Sequence, residues 1–263
     1  MDALKANIPA ALRNTAEELR VRSGTAKFPS AAVTIAGAEI PIGEFPMTVT
    51  EVLALLSGNS YQTIQEQLKS GYMTAKGGHR VGICGTAIVK NGAIDGFRDI
   101  SSLNVRFCRE HKGIAEPFFP RLKGKSTLIV SPPGLGKTTF LRDIIRLTSN
   151  SGTRTAVLDE RGEIAAMSGG SPGFDLGKAT DVLEAAPRLD GVLMLLRTMA
   201  PHCIAMDELS ASADSAALEA AENCGIQLIA TSHREGAYPK LFEVIVKITL
   251  TNGKRTYEVS QCR

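Results

Sequence analysis

The stretch Ser131-Pro132-Pro133-Gly134-Leu135-Gly136-Lys137-Thr138-Thr139 decides the fold of this chain. It follows a compact apolar run at 126–130 and precedes a helical pattern over 137–147, so it sits in the strand, loop and helix setting that a phosphate-binding loop requires. In that reading the loop N–H groups and the positive end of the helix hold phosphate. Lys137 reaches the β- and γ-phosphates, and the Thr138 hydroxyl ligates Mg²⁺. Ser131 stands in place of the first glycine of the GxxxxGK[ST] pattern and is small enough for the turn. Taken alone, the motif can also be a glycine-rich turn before an ordinary helix.

Outward from the loop, Cys203-Ile204-Ala205-Met206-Asp207-Glu208 is an apolar run that ends in two carboxylates. Asp207 is placed to hold Mg²⁺, directly or through water, and Glu208 to orient or deprotonate the attacking water. The alternative is an acidic strand end that caps the next helix. Asp159-Glu160, followed by Arg161, closes the run 155–158, and in a parallel sheet that end joins the edge where ligands collect. The run 226–231 leads into Ser232-His233, where His233 either hydrogen-bonds the γ-phosphate or is a surface histidine. The chain lacks an Asn-Lys-x-Asp guanine-reading motif, so ATP is preferred to GTP. Apolar runs separated by helical stretches predict a mainly parallel, doubly covered α/β sheet, ending in a hairpin turned at Thr251-Asn252-Gly253-Lys254.

Upstream the texture is α+β. A length of 263 residues accommodates two cores, and the Pro-, Gly- and base-rich segment 117–125 marks a boundary between a smaller α+β domain, 1–122, and the P-loop domain, 123–263. The first is expected to open with an amphipathic helix over 4–19, followed by strands at 32–35 and 38–42. Thr48 and Glu51 have capping-box spacing ahead of a helix ending near Gly58, and a second helix is expected over 61–69. Strands follow at 72–74 and 80–90, with Asn91-Gly92 turning the chain back toward 100–108. Gly77-Gly78 before His79-Arg80 suits close backbone approach and equally an ordinary turn.

The net charge of +3 comes from intermingled acids and bases with no basic tail, which disfavours sequence-specific nucleic-acid binding. Five cysteines without a CxxC pair suggest neither a disulfide framework nor a zinc site. Even the apolar segment 191–200 is interrupted by Arg197, so a soluble, intracellular chain with no direct membrane insertion is expected. Two other functions compete with an ATPase motor. A nucleic-acid-stimulated loader or translocase is opposed by the absence of tryptophan and of a stacking platform. A nucleotide-binding scaffold has little use for a water-positioning Glu208.

Several separated segments together resemble the family of stage III sporulation protein AA. These are the loop 131–139, Val157-Leu158-Asp159-Glu160-Arg161-Gly162-Glu163-Ile164, the run 199–208, Gly77-Gly78-His79-Arg80-Val81-Gly82, and Ile100-Ser101-Ser102-Leu103-Asn104-Val105-Arg106. That family is similar to the ATPases of type II and type IV secretion, so the resemblance implies a RecA-like P-loop motor domain behind an N-terminal domain, assembled as a homo-hexamer. It puts Asp159-Glu160 in an acidic box, Glu208 at the Walker B glutamate and His233 in a histidine box. It likens Arg197 and Arg106 to arginines that meet the nucleotide across domain or subunit boundaries. It further implies ATP and Mg²⁺ as cofactors, and membrane-embedded sporulation channel proteins as partners. The implied location is the mother-cell cytoplasm, docked peripherally at the membrane through those partners.

Overall fold

A computed structural model describes residues 1–24, 30–58, 68–167, 170–210, 214–233 and 241–262. They form two compact units, Met1–Arg109 and Glu110–Arg263. The expected boundary after residue 122 therefore falls inside the second unit. Ala115 and Leu122 are sunk in that unit's core, and the Asp143 carboxylate accepts the Ala115 N–H at 2.8 Å.

The first unit is built on β1 (Glu18–Arg22), β2 (Ser30–Ile35), β3 (Ala38–Glu44), β4 (Tyr72–Ala75), β5 (His79–Lys90) and β6 (Ala93–Arg106). They form an antiparallel sheet in the order β3-β2-β1-β6-β5-β4. The single helix expected over 4–19 is instead two short helices and a strand: α1 (Asp2–Ala6), α2 (Ala10–Arg13) and β1. Pro9 has no N–H to continue α1 and starts α2 from a φ of −49°. Beyond it Leu19 and Val21 alternate into the core, the period of a half-buried strand. The helix α3 (Val49–Leu56) carries the expected capping box, with Thr48 Oγ1 accepting the Glu51 N–H and the Glu51 carboxylate accepting the Thr48 N–H at 2.8 Å. The helix expected over 61–69 lies almost entirely outside the described residues.

The Gly77-Gly78 pair turns β4 into β5 and delivers His79 into the interior, so this histidine supports the fold of its unit. Its Nδ1 accepts the Cys108 N–H at 3.0 Å and its ring meets Phe107 edge-on. Burial, helped by the nearby Lys5 ammonium, pushes its pKa down to about 4. The unfolded chain binds that proton near pH 6.5, so the contribution to stability is complete above pH 6.5 and is lost as the pH falls toward 4. About 3 kcal/mol at most is at stake. Protection of the Val81 and Val105 amides against hydrogen exchange is expected to weaken more between pH 7 and 4.5 in the wild type than in His79→Asn, which keeps an acceptor and cannot titrate. Equal weakening in both proteins would remove His79 from the account.

The second unit begins with the short helix α4 (Phe119–Leu122) and then β7 (Thr127–Val130), α5 (Lys137–Asn150) and β8 (Thr155–Asp159). It continues through β9 (Thr180–Glu184), α6 (Arg188–Thr198), β10 (Cys203–Met206), α7 (Ser215–Asn223), β11 (Gln227–Ser232), β12 (Val244–Thr251) and β13 (Lys254–Gln261). The sheet order is β13-β12-β7-β11-β10-β8-β9, and every neighbouring pair is parallel except the terminal hairpin β12-β13.

The central strands are buried along nearly their whole length, with apolar middles, because both faces are covered. Ile129, Val157, Ala205 and Ile229 pack with Phe140, Leu141, Ile144 and Ile145 of α5 on one face. Their sequence neighbours Leu128, Ala156, Ile204 and Leu228 pack on the other face with Val192 and Leu195 of α6 and Leu218 of α7. Gly191 lets α6 approach this face closely, since a Cβ there would lie 2.5 Å from Leu158 Cδ1. Parallel alignment brings the ends of β7, β8, β10 and β11 to one edge of the sheet, and β11 is inserted between β7 and β10.

Candidate nucleotide site

The loop from β7 to α5 occupies that edge. Gly134 and Gly136 have φ of 77° and 96°, the left-handed region that favours glycine. Ser131 is not among the residues with positive φ, which explains why serine is tolerated at the position where the pattern expects glycine. Pro132 and Pro133 are exposed and Leu135 packs against the core, anchoring the loop's middle. Helix α5 starts at Lys137 with no side-chain cap and no acidic residue in its first turn. The unpaired amides around Lys137, Thr138 and Thr139 and the positive helix end therefore face the loop, an arrangement suited to an anion.

Lys137 curls back over the loop, donating to Ser131 O at 2.9 Å and to Pro132 O at 3.2 Å. Its ammonium also meets His233 Nδ1 at 3.2 Å. Burial lowers its pKa, and the negative charges of Asp207 and Glu208 oppose that shift. The other ring nitrogen, Nε2, lies 3.4 Å from Glu208 Oε1, so the His233 ring stands between the lysine and the glutamate.

Asp207, at the end of β10, divides its oxygens between two tasks. Oδ1 accepts from the buried Thr231 hydroxyl and, at 3.0 Å, from the Glu208 N–H. Oδ2 accepts from Thr138 Oγ1 at 2.7 Å. Two hard oxygens, Thr138 Oγ1 and Asp207 Oδ2, thus converge where a small divalent cation could join them. That donor set fits Mg²⁺, which uses few protein oxygens together with phosphate and water.

Glu208 has a φ of 50°, uncommon for a residue with a Cβ and worth about 1–3 kcal/mol of local strain. Its N–H is also held by Thr231 Oγ1 at 2.9 Å, and its carboxylate pairs with Arg161. Glu160 pairs with Arg188. The two glutamates line one small cavity with Arg161, Glu163, Arg188 and Asp207. Asp159 behaves differently: its buried carboxylate accepts the N–H groups of Glu163, Ile164 and Ala165, so it shapes the turn after β8.

Of the residues expected at the site, those from 131 to 139 and Glu160, Asp207, Glu208 and His233 lie together at this edge. Arg197 lies at the far end of α6 from Arg188, about 13 Å along the helix, with Nε donating to Leu193 O. Arg106 belongs to the first unit, where its exposed side chain pairs with Glu18 at 2.8 Å. Sequence reasoning brought Thr231 to this edge with Ser232 and His233 but gave it no role, and it missed Arg188 with its partner Asp214. Arg188 left one trace, since a cation in the first turn of a helix opposes the helix dipole and needs another partner.

A family model described as sporulation stage III, protein AA matches residues 43–244. Stage III sporulation protein AA of Bacillus subtilis (strain 168) is 43% identical over 190 residues, 69% of this chain and 62% of that protein. The chain thus spans about three fifths of the length of that curated relative. Among solved structures, the pilus retraction motor PilT with bound ADP is similar with a TM-score of 0.61 at 13% identity, over 98% of this chain and 83% of that one. The ATPase DotB of Legionella pneumophila is similar with a TM-score of 0.57 at 18% identity, over 93% and 76% of the two chains. At these identities the likeness is one of fold.

Proposed function

This chain belongs to the family of sporulation stage III protein AA, and from that premise we propose that it hydrolyses ATP to ADP and phosphate to energise a secretion-like channel complex between mother cell and forespore. The observation that carries the enzymatic half is the convergence of Thr138 Oγ1 and Asp207 Oδ2 at 2.7 Å, beside Lys137 and at the foot of an uncapped helix.

In this reading the loop amides and Lys137 hold the β- and γ-phosphates. Thr138 and Asp207 hold Mg²⁺, which when bound neutralises charge on the phosphate oxygens. Glu208 orients a water in line with the γ-phosphate. As the water oxygen bonds to phosphorus, the bond from the γ-phosphorus to the bridging oxygen breaks. Glu208 receives the water's proton, and ADP departs with the electron pair. Positioning and charge neutralisation supply most of the rate enhancement.

The proposed assembly is a homo-hexamer with a RecA-like motor domain, docked through membrane-embedded channel proteins on the cytoplasmic face of the mother cell. Among the described residues no helix is long and apolar enough to cross a membrane. Arg197 and Arg106 are proposed to meet the nucleotide across domain or subunit boundaries; both side chains are exposed. The family and the fold of its structural neighbours support the motor reading, and the two arginine assignments rest on the resemblance in sequence alone.

Capture of the tagged chain from sporulating cells with ATP and Mg²⁺ tests the coupling. A membrane-spanning protein should come with it and accelerate its phosphate release several-fold. A partner that leaves the rate unchanged, or no membrane-spanning partner at all, overturns the channel role.

A further inference from the structure

We infer that Arg188 is a positioning residue for ATP hydrolysis, a single guanidinium that ties the ends of β8 and β10 together and holds Glu160 and Glu208 in working geometry. The inference rests on the ATPase reading above and assigns a role to a residue that touches neither nucleotide nor metal in that reading.

The placement of Arg188 makes little sense for α6 by itself. It occupies the first turn, where its charge opposes the helix dipole, and its side chain is only 14% exposed. The compensation lies in its partners. Nη2 pairs with Glu160 and donates to Asp207 O at 3.0 Å. Nη1 donates to Asp214 Oδ2 at 2.6 Å and to Glu208 O at 3.3 Å. Asp214 is itself buried and accepts the Ser210 N–H, so the far side of the guanidinium is anchored to the segment that leads into α7.

Two consequences follow for the proposed water-orienting residue. Glu208 adopts a left-handed backbone whose N–H is held by Thr231 and Asp207. Its carbonyl, and the carbonyl before it, are held by Arg188. The peptide groups on both sides of the strained residue are thereby pinned, and the direction in which its side chain leaves the strand end is set. Arg188 also gives Glu160 a charge partner of its own, as Arg161 does for Glu208, so two carboxylates share one small cavity without facing each other unpaired. Nη1 and Nη2 each have two acceptors, drawn from Glu160, Asp207, Glu208 and Asp214, so in this inference the effect of Arg188 reaches the reaction through Glu160 and Glu208. A lysine cannot reproduce this, because a compact ammonium cannot span both carboxylates and both carbonyls as a planar fork does.

The test compares the full chain with Arg188→Lys and Arg188→Ala, with turnover counted per bound ATP so that unfolded protein does not enter. Arg188→Lys is expected to bind ATP within about threefold of wild type while turnover falls at least about tenfold, a loss in kcat at nearly constant KM. Guanidinium ion added to Arg188→Ala is expected to restore part of the turnover, and methylammonium is not. Turnover of Arg188→Lys within about twofold of wild type overturns the inference. So does parallel loss of binding and turnover with no guanidinium rescue, which is what a purely structural residue would give. If Arg188→Ala does not fold, Arg188→Lys decides alone. A wild-type chain that hydrolyses ATP no faster than Lys137→Ala defeats the ATPase reading, and this inference with it; an active wild type with an unimpaired Arg188→Lys defeats this inference alone.

Discussion

Glu208→Gln is expected to bind ATP with nearly wild-type affinity and to turn it over about 10²–10⁴-fold more slowly, the range associated with losing a positioned general base. Glutamine keeps the size of the side chain and one acceptor oxygen, so the water can still be approached but its proton has no destination. The backbone should survive the change. The left-handed conformation of residue 208 is held by main-chain contacts to Thr231, Asp207 and Arg188, none of which involves the side chain. The lost pair with Arg161 is largely solvent-exposed on the arginine side and contributes little to stability. Single-turnover release of phosphate, measured beside equilibrium binding of a fluorescent ATP analogue, separates the two effects. Unchanged turnover would transfer the role to Glu160, the other carboxylate in the same cavity.

Lys137→Ala is expected to fail earlier, at binding. A charge-assisted hydrogen bond to phosphate contributes about 1.5–3 kcal/mol, so affinity should fall by about 10- to 10²-fold. The loop is affected as well, since the ammonium latches the carbonyls of Ser131 and Pro132 and touches His233. Breaking the latch frees the turn that presents its amides to phosphate. Calorimetric titration with Mg·ATP reads the loss directly. Wild-type affinity in Lys137→Ala would mean that the loop does not carry the nucleotide.

The second unit was largely legible in the sequence because its signals are local and apolar. The runs ending in Val130, Met206 and Thr231 are short, β-branched or aliphatic, and followed by polar residues at the strand ends, and the structure puts all three in one sheet. What could not be read was strand order. Nothing in the sequence says that β11, the latest of the central strands, inserts between β7 and β10 and so sets Thr231 against Asp207. Strand β9 was missed for a related reason: Thr180–Glu184 is half-polar and edge-lying, so its pattern is weak.

The first unit was harder at its start. Alanines and charges over 4–19 carry a helical period that Pro9 interrupts, and only pairing with β2 and β6 reveals Glu18–Arg22 as a strand. At the site, motif residues announced themselves, whereas their supports did not. Thr231 resembles any strand threonine, and Arg188 any helical arginine. Their importance exists only in three dimensions, through one hydroxyl on Asp207 and one guanidinium on two carboxylates.

The most direct test is steady-state phosphate release from Mg·ATP by the wild-type chain and by Lys137→Ala, purified and assayed side by side. Sustained release over many turnovers by the wild type, with Lys137→Ala at the level of buffer, is the predicted result. Coincident rates for the two proteins would contradict the account.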